Sequence, residues 1–145
     1  LPVGAYGGKR EIMQMIAPYI FVADEPCYVV QTPPYLHYFP TPRPGVQVCG
    51  RFPVHVWPRP LSWGFEWHDM AKPMTFKRGE PWFYVHFETE NPAGRVRLVE
   101  QEPSEELDAY VNSIVDVSNY VNKTFSLFSE AKARRPATLV NPKKG

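Results

Sequence analysis

Short stretches of alternating hydrophobic and polar residues fill the first two thirds of the chain, separated by clusters of proline and glycine. Such stretches predict β-strands, because successive side chains of a strand point to opposite faces. The run Cys27–Thr32 is rich in the β-branched and aromatic residues that favour strands. Further strands or extended pieces are predicted at residues 35–39, 46–49, 52–57, 82–88 and 95–100.

The alternation is clearest in residues 82–88, which follow a turn at Lys77-Arg78-Gly79-Glu80-Pro81. One face of this predicted strand is apolar and is expected to join the core; it carries Phe83, Val85 and Phe87. The opposite face carries Trp82, Tyr84, His86 and Glu88. This second face is amphipathic, so it is a candidate for a groove, a partner contact or a half-exposed surface.

After Pro103 the spacing of hydrophobic residues changes to three, four and seven, which is typical of one helical face. Ser104 is a candidate cap, and Glu105 and Glu106 complement the positive end of the helix dipole. The apolar stripe consists of Leu107, Val111, Ile114, Val121, Phe125 and Phe128. We predict one helix from 104 to 128, about 37 Å long at 1.5 Å per residue. It either lies across the sheet or projects towards a neighbouring subunit.

The predicted fold is mainly β (α+β): a small barrel or sandwich of six to eight short strands, then one long C-terminal helix and an extended tail. Residues 1–102 form the β-rich domain with an extended N-terminal segment, 103–128 the helix, and 129–145 a basic tail. The 17 prolines among 145 residues exclude a helical bundle, since interior proline breaks helices. The 21 aromatic residues argue against disorder, and no apolar run is long enough for a membrane span.

The net charge of +1 hides an uneven distribution. The tail at 129–145 holds five basic residues and one acidic residue, so it carries +4 and the preceding 128 residues carry −3. A basic tail beside aromatic strands can bind single-stranded nucleic acid. The acidic balance of the remaining chain favours instead an arm that docks on a partner subunit.

Candidate chemistry is sparse. A site with two histidines and one carboxylate is conceivable at His68, His86 and Glu88, because His86 and Glu88 share a strand face. This gives the alternative hypothesis of a metal-dependent enzyme or small-ligand binder with its site in a barrel mouth. The sequence contains no nucleophile elbow, no phosphate-binding glycine loop and no dinucleotide fingerprint. We therefore expect no cofactor for the leading hypothesis.

The two cysteines, Cys27 and Cys49, are predicted to be free thiols, because they belong to no dense disulfide framework and no CxxC pair. The first residues lack the basic segment and apolar core of a signal peptide. A cytoplasmic or virion location is expected.

Four pieces of the sequence resemble an uncharacterised family of microbial and phage proteins: Thr32-Pro33-Pro34, Phe52-Pro53-Val54, residues 63–67, and residues 76–83. The resemblance implies a phage association. Because that family has no established activity, the resemblance assigns no catalytic residue. The basic turn, the glycine and the apolar strand also look like the β-clip barrels of the trimeric dUTPase-like class. The catalytic aspartate motifs of that class are not visible here.

We expect a non-enzymatic, homo-oligomeric structural or protein-interaction module, with a trimer as one arrangement. The chain itself is the expected partner, and no membrane contact is expected. Nucleic acid can bind through the basic tail but is not the favoured partner. Tyrosine and tryptophan are enriched at protein interfaces. The predicted interface residues are Trp82, Tyr84, Phe125 and Phe128.

Overall fold

The structure, a computed structural model, describes residues 11–118 and 124–139. This part of the chain contains six strands and two helices: β1 (Glu11–Ile20), β2 (Cys27–Thr32), β3 (Gly45–Val48), β4 (Gly50–Pro53), β5 (Pro60–Trp67), β6 (Tyr84–Thr89), α1 (Glu105–Ser118) and α2 (Thr124–Arg134). The strands form two three-stranded sheets, ordered β1-β5-β3 and β4-β2-β6. The fold is therefore sheet-rich with helices, as predicted.

The chain divides into two compact units, each assembled from three separate stretches. Among the described residues, unit 1 contains 11–19, 30–51 and 60–86, and unit 2 contains 20–29, 52–59, 87–118 and 124–139. The sheet β4-β2-β6 contributes residues to both units. Each unit thus depends on contacts between residues far apart in sequence.

The core of unit 1 lies on one face of the central strand β5. Leu61, Trp63 and Phe65 alternate along β5 and are buried, and the rings of Trp63 and Phe65 stack 5.0 Å apart. Strand β3 pairs antiparallel with β5, and Gly45 lies opposite Trp67. A β-carbon at Gly45 would overlap the Glu66 carbonyl oxygen and lie 2.6 Å from the Phe65 ring, so this position accepts only glycine without rearrangement.

Tyr110 on α1 lies at the centre of unit 2. Its hydroxyl lies 2.6 Å from the Val56 carbonyl oxygen and 2.8 Å from that of Ala131 on α2, so it can donate to either. Burial raises the pKa of this hydroxyl, against an opposing contribution from Arg135. The surrounding buried cluster contains Val56, Trp57, Tyr110, Ile114, Ala131 and Leu139. A single polar contact thus joins the 54–56 turn and both helices inside an apolar core.

Arg135 fastens the chain that follows α2 onto unit 2. Its guanidinium group donates to the carbonyl oxygens of His55 and Ala23 and lies 3.1 Å from Asp24 Oδ1. The backbone N–H of Leu139 donates to the same Asp24 oxygen at 2.7 Å, and the Leu139 side chain is buried. The predicted extended tail is therefore wrong for residues 129–139, because 129–134 belong to α2 and the following residues contact their own unit. Lys143 and Lys144 lie outside the described residues.

Two features of the predicted fold are corrected. The strands do not close into a barrel, because they form two separate sheets. The single long helix is also wrong, since α1 ends at Ser118 and α2 begins at Thr124. The apolar spacing runs across both helices because Leu107 and Ile114 of α1 and Phe128 of α2 pack in the same core cluster. The start is confirmed: Ser104 Oγ accepts the Leu107 N–H at 3.1 Å.

The strand predictions differ in outcome. Strands β2, β3 and β6 are confirmed to within one or two residues, whereas β4 ends at Pro53 and residues 54–56 form a turn. The piece at 35–39 lies mostly in a turn, and the predicted strand at 95–100 has no regular structure. The sequence predicts no strand at residues 11–17 or 63–67, yet these residues belong to β1 and β5.

Neither α1 nor α2 in the described part of the chain has the length and apolar character needed to cross a lipid bilayer.

We expect Gly45→Ala to lower the free energy of unfolding by about 1–3 kcal/mol, the usual range for overpacking. Gly64→Ala is the matched control, because its new β-carbon would lie 3.4 Å from Val48 Cβ, an ordinary contact. The control should be neutral or stabilising by about 0.5 kcal/mol, since glycine weakens strands. Urea unfolding measures both, and equal stability of the two variants would contradict the close approach at Gly45.

We expect Tyr110→Phe to cost about 1 kcal/mol of unfolding free energy, because it leaves two buried carbonyl groups without their shared donor. Tyr38→Phe removes the same hydroxyl from an exposed loop and should change the stability little. Thermal and urea unfolding of the two variants provide the comparison. An equal loss in both would show that the Tyr110 hydroxyl has no special role.

Candidate interaction surface

The loop between β2 and β3 presents three large hydrophobic side chains to solvent. Tyr35, Leu36 and Tyr38 are 71%, 80% and 84% exposed, the highest values among the large hydrophobic residues of that loop. No aspartate, glutamate, lysine or arginine occurs between residues 26 and 42. These three residues, together with the adjacent Tyr84, are called the aromatic loop surface below.

The loop holds these side chains on a restrained backbone. The N–H of Tyr35 donates to the Pro33 carbonyl at 2.8 Å, and the N–H of His37 donates to the Pro34 carbonyl at 3.1 Å. Five prolines, at 33, 34, 40, 42 and 44, each fix their own φ angle. The Tyr35 ring also packs edge-on against Tyr84, with centroids 5.5 Å apart. Binding through such a loop requires little further ordering.

Arg43 anchors the far end of the loop to the rest of unit 1. Its guanidinium carbon lies 4.3 Å from the centre of the Phe39 ring, and the group donates to the carbonyl oxygens of Pro81 (2.8 Å) and Trp82 (3.0 Å). Burial lowers the pKa of Arg43, and the Glu80 carboxylate opposes this effect. The charged group therefore lies inside the unit, and the exposed part of the loop stays neutral.

The turn that receives Arg43 agrees with the sequence prediction for residues 77–81. The N–H of Glu80 donates to the Lys77 carbonyl at 3.1 Å, and Gly79 has a φ of 90°. A positive φ at this place in a turn favours glycine. The turn brings Phe76 and Trp82 together, with ring centroids 5.2 Å apart, and Phe76 also contacts Trp63. The loop is thus anchored on an aromatic cluster.

The four predicted interface residues have different surroundings. Trp82 and Tyr84 are half-buried in unit 1, where Trp82 packs on Phe76 and Tyr84 on Tyr35. Phe128 packs edge-on against Trp57, at 5.9 Å, and so contributes to the core of unit 2. The side chain of Phe125 lies outside the described residues. Of the four, Tyr84 is the one that belongs to the aromatic loop surface.

The predicted metal ligands do not form a site. Across residues 11–118 and 124–139, no group of three or more histidine, cysteine, aspartate or glutamate side chains is placed to hold a metal ion. His68 follows β5, and its Nε2 lies 3.2 Å from Glu66 Oε1. His86 and Glu88 are exposed on β6, on the polar face that the alternation predicted.

The cysteines are free, as predicted, and Cys27 is buried whereas Cys49 is exposed. His55 lies beside Cys27, but its Nδ1 contacts the backbone of Cys27, 2.9 Å from the carbonyl oxygen and 3.2 Å from the nitrogen. Burial raises the pKa of the Cys27 thiol, which disfavours the thiolate that a nucleophile requires. The pair therefore has a structural role.

Sequence reasoning placed Tyr35, Leu36 and Tyr38 in an extended piece without naming them as interface residues. The sequence feature that could have identified them is a long run without charged residues, in which aromatic residues lie between two proline clusters. Their exposure follows from the turn at residues 35–37, which a strand prediction misses.

No protein-family model, no curated protein and no solved structure matches the chain. The resemblance to an uncharacterised phage family stays a prediction.

We expect iodoacetamide at pH 8 to label Cys49 rapidly and Cys27 slowly in the folded chain. Cys27 is buried and its pKa is raised, so it has little accessible thiolate. Intact-mass measurement should therefore find one fast adduct, and two after denaturation. The Cys49→Ser variant is the control and should show only the slow reaction. Two equally fast adducts in the folded chain would contradict this assignment.

Proposed function

We propose that the chain is a non-enzymatic module that associates with itself, and that the aromatic loop surface is the contact between copies. The observation that carries this proposal is the cluster of Tyr35, Leu36 and Tyr38, each at least 71% exposed on a restrained loop without charges. Contiguous exposed apolar patches are typical of association sites, and tyrosine contributes large contact area at low entropic cost.

The absence of charge in the loop favours a second copy as the partner. In a two-fold contact, groups near the axis meet their own copies, so a charged group there would face a like charge. The aromatic loop surface avoids this repulsion because its charged neighbour, Arg43, binds the Pro81 and Trp82 carbonyls inside the unit. Two neutral surfaces can approach at any orientation that the side chains allow.

The alternative functions have less support. A metal-dependent enzyme has no matching cluster of ligands in the described part of the chain. Nucleic-acid binding through the tail would use its basic residues, yet Arg135 binds Asp24 and backbone carbonyl groups of its own unit, and Arg134 pairs with Glu130 at 2.9 Å. The internal use of these two arginines lowers the charge that the tail offers to phosphates.

Light scattering coupled to size-exclusion chromatography tests the proposal on the full chain of 16.7 kDa. We expect a mass of at least twice that value for the wild type, and a lower mass for a variant carrying Leu36→Glu and Tyr38→Glu. The two carboxylates would face their copies across the contact and lose part of their hydration.

Met70→Glu is the matched control, because Met70 is also exposed in a loop of unit 1 but lies outside the aromatic loop surface. It should leave the oligomer unchanged, and circular dichroism should show the same fold for all three proteins. A monomeric wild type, or an unchanged mass in the double variant, would overturn the proposal.

A further inference from the structure

Residues 95–100 have the sequence of a strand but lie in no sheet. The stretch Arg95-Val96-Arg97-Leu98-Val99-Glu100 alternates charged and aliphatic residues over its first four positions, which is typical of a half-buried strand. In the structure the whole stretch is exposed and irregular, and Val96, Leu98 and Val99 are 45%, 65% and 52% exposed. When a segment favours a strand but pairs with no strand in the structure, we expect its pairing partner to lie elsewhere.

The turn before this segment differs from that of a two-residue hairpin. The Gly94 N–H donates to the Asn91 carbonyl at 2.8 Å, so residues 91–94 form a four-residue turn. Two-residue hairpin loops need positive φ angles at one or both central residues, because those turns match the twist of the flanking strands. Pro92 and Ala93 both lack a positive φ, and residues 95–100 form no strand after the turn.

Among the strands of the described residues, β6 is an edge of the sheet β4-β2-β6, and an edge strand can pair with a further strand. Its polar face continues into the turn with Glu88 and Glu90, two residues apart. The segment carries Arg95 and Arg97 at the same spacing. In an antiparallel pairing with Glu88 opposite Arg97, Glu90 lies opposite Arg95. In the same register, Phe87 and Leu98 lie opposite each other on the other face of the sheet.

We propose that residues 95–100 of one copy add as a strand to the β6 edge of a second copy, and that the exchange is reciprocal. This inference rests on the self-association proposed above and adds a contact distinct from the aromatic loop surface. The charges and the apolar pair match the chain's own β6, so the chain is its own best partner. Reciprocal exchange closes around a two-fold axis and uses each edge once.

Charge reversal tests the pairing in the full chain. Two proteins are made in the Leu36→Glu, Tyr38→Glu background, so that the loop contact does not mask the exchange. One carries Glu88→Lys and Glu90→Lys, and the other carries Arg95→Glu and Arg97→Glu. The background protein keeps only the strand exchange and should have twice the 16.7 kDa chain mass, whereas the wild type, with both contacts, should be larger than a dimer. Each charge variant alone should associate about tenfold to a hundredfold more weakly, because like charges then lie opposite each other.

Mixing the two charge variants should restore the dimer as a one-to-one pair. The lysine edge of the first protein then meets the glutamate strand of the second, and the glutamate edge of the second meets the basic strand of the first. Native mass spectrometry identifies this heterodimer. Pairing within one chain predicts no rescue on mixing, so this result distinguishes the exchange from an intramolecular hairpin.

A backbone variant checks that the segment pairs as a strand. Leu98→Pro in the same background removes an N–H and should abolish the dimer, whereas Leu98→Val keeps a strand-forming residue and should preserve it. Residue 98 is exposed and irregular, so neither change should disturb the monomer fold, as circular dichroism can verify.

The outcomes separate the two proposals. A background protein that is monomeric, or a mixture of the charge variants that stays monomeric, would overturn the strand exchange and leave the loop contact standing. An oligomer that is unaffected by the loop variant but lost with Leu98→Pro would overturn the loop contact and support the exchange. A monomeric wild type would overturn both.

Discussion

Within each of the two units, an arginine side chain that donates to backbone carbonyl groups stabilises the fold. Proline has no N–H, so a chain with 17 prolines has more carbonyl acceptors than backbone donors. Arginine supplies five donors in a fixed geometry and can satisfy several of these acceptors at once. Arg43 does so for Pro81 and Trp82 in unit 1, and Arg135 does so for Ala23, His55 and Pro136 in unit 2.

This use of arginine shapes the surface of the protein. Only five charged residues occur between residues 12 and 65: Asp24, Glu25, Arg43, Arg51 and Arg59. Asp24 pairs with Arg135, Arg43 lies within an aromatic cluster, and burial lowers the pKa of Arg59, which lies over the Phe52 ring. Three of these five charged side chains, Asp24, Arg43 and Arg59, therefore contact other parts of the chain. The exposed hydrophobic loop lies in this charge-poor half of the chain, and it is the surface that we propose as the contact between copies.

Local signals in the sequence predicted several elements well. The β-branched run of β2, the alternation of β6, the Gly79 turn and the Ser104 cap all depend on neighbours within a few residues. The helix prediction failed at its middle, because the apolar spacing is compatible with one helix or with two that share a core. Tyr110 resolves this, since its hydroxyl reaches Ala131 only when α2 packs beside α1. The strand prediction at 95–100 failed for the opposite reason. The local preference for a strand is strong, but after the turn at 91–94 the segment meets no partner strand.

The sequence by itself determined the class of fold, strands β2, β3 and β6, the turn at Gly79 and the helix start at Ser104. These depend on side-chain period and on the placement of proline, glycine and capping residues, all of which act over short distances along the chain. Only the tertiary structure decided that Arg135 pairs with Asp24, that the predicted metal ligands belong to no group of three placed to hold a metal ion, and that Tyr35, Leu36 and Tyr38 face solvent. Each of those outcomes depends on which distant segments meet, and hydrophobic periodicity does not specify that choice.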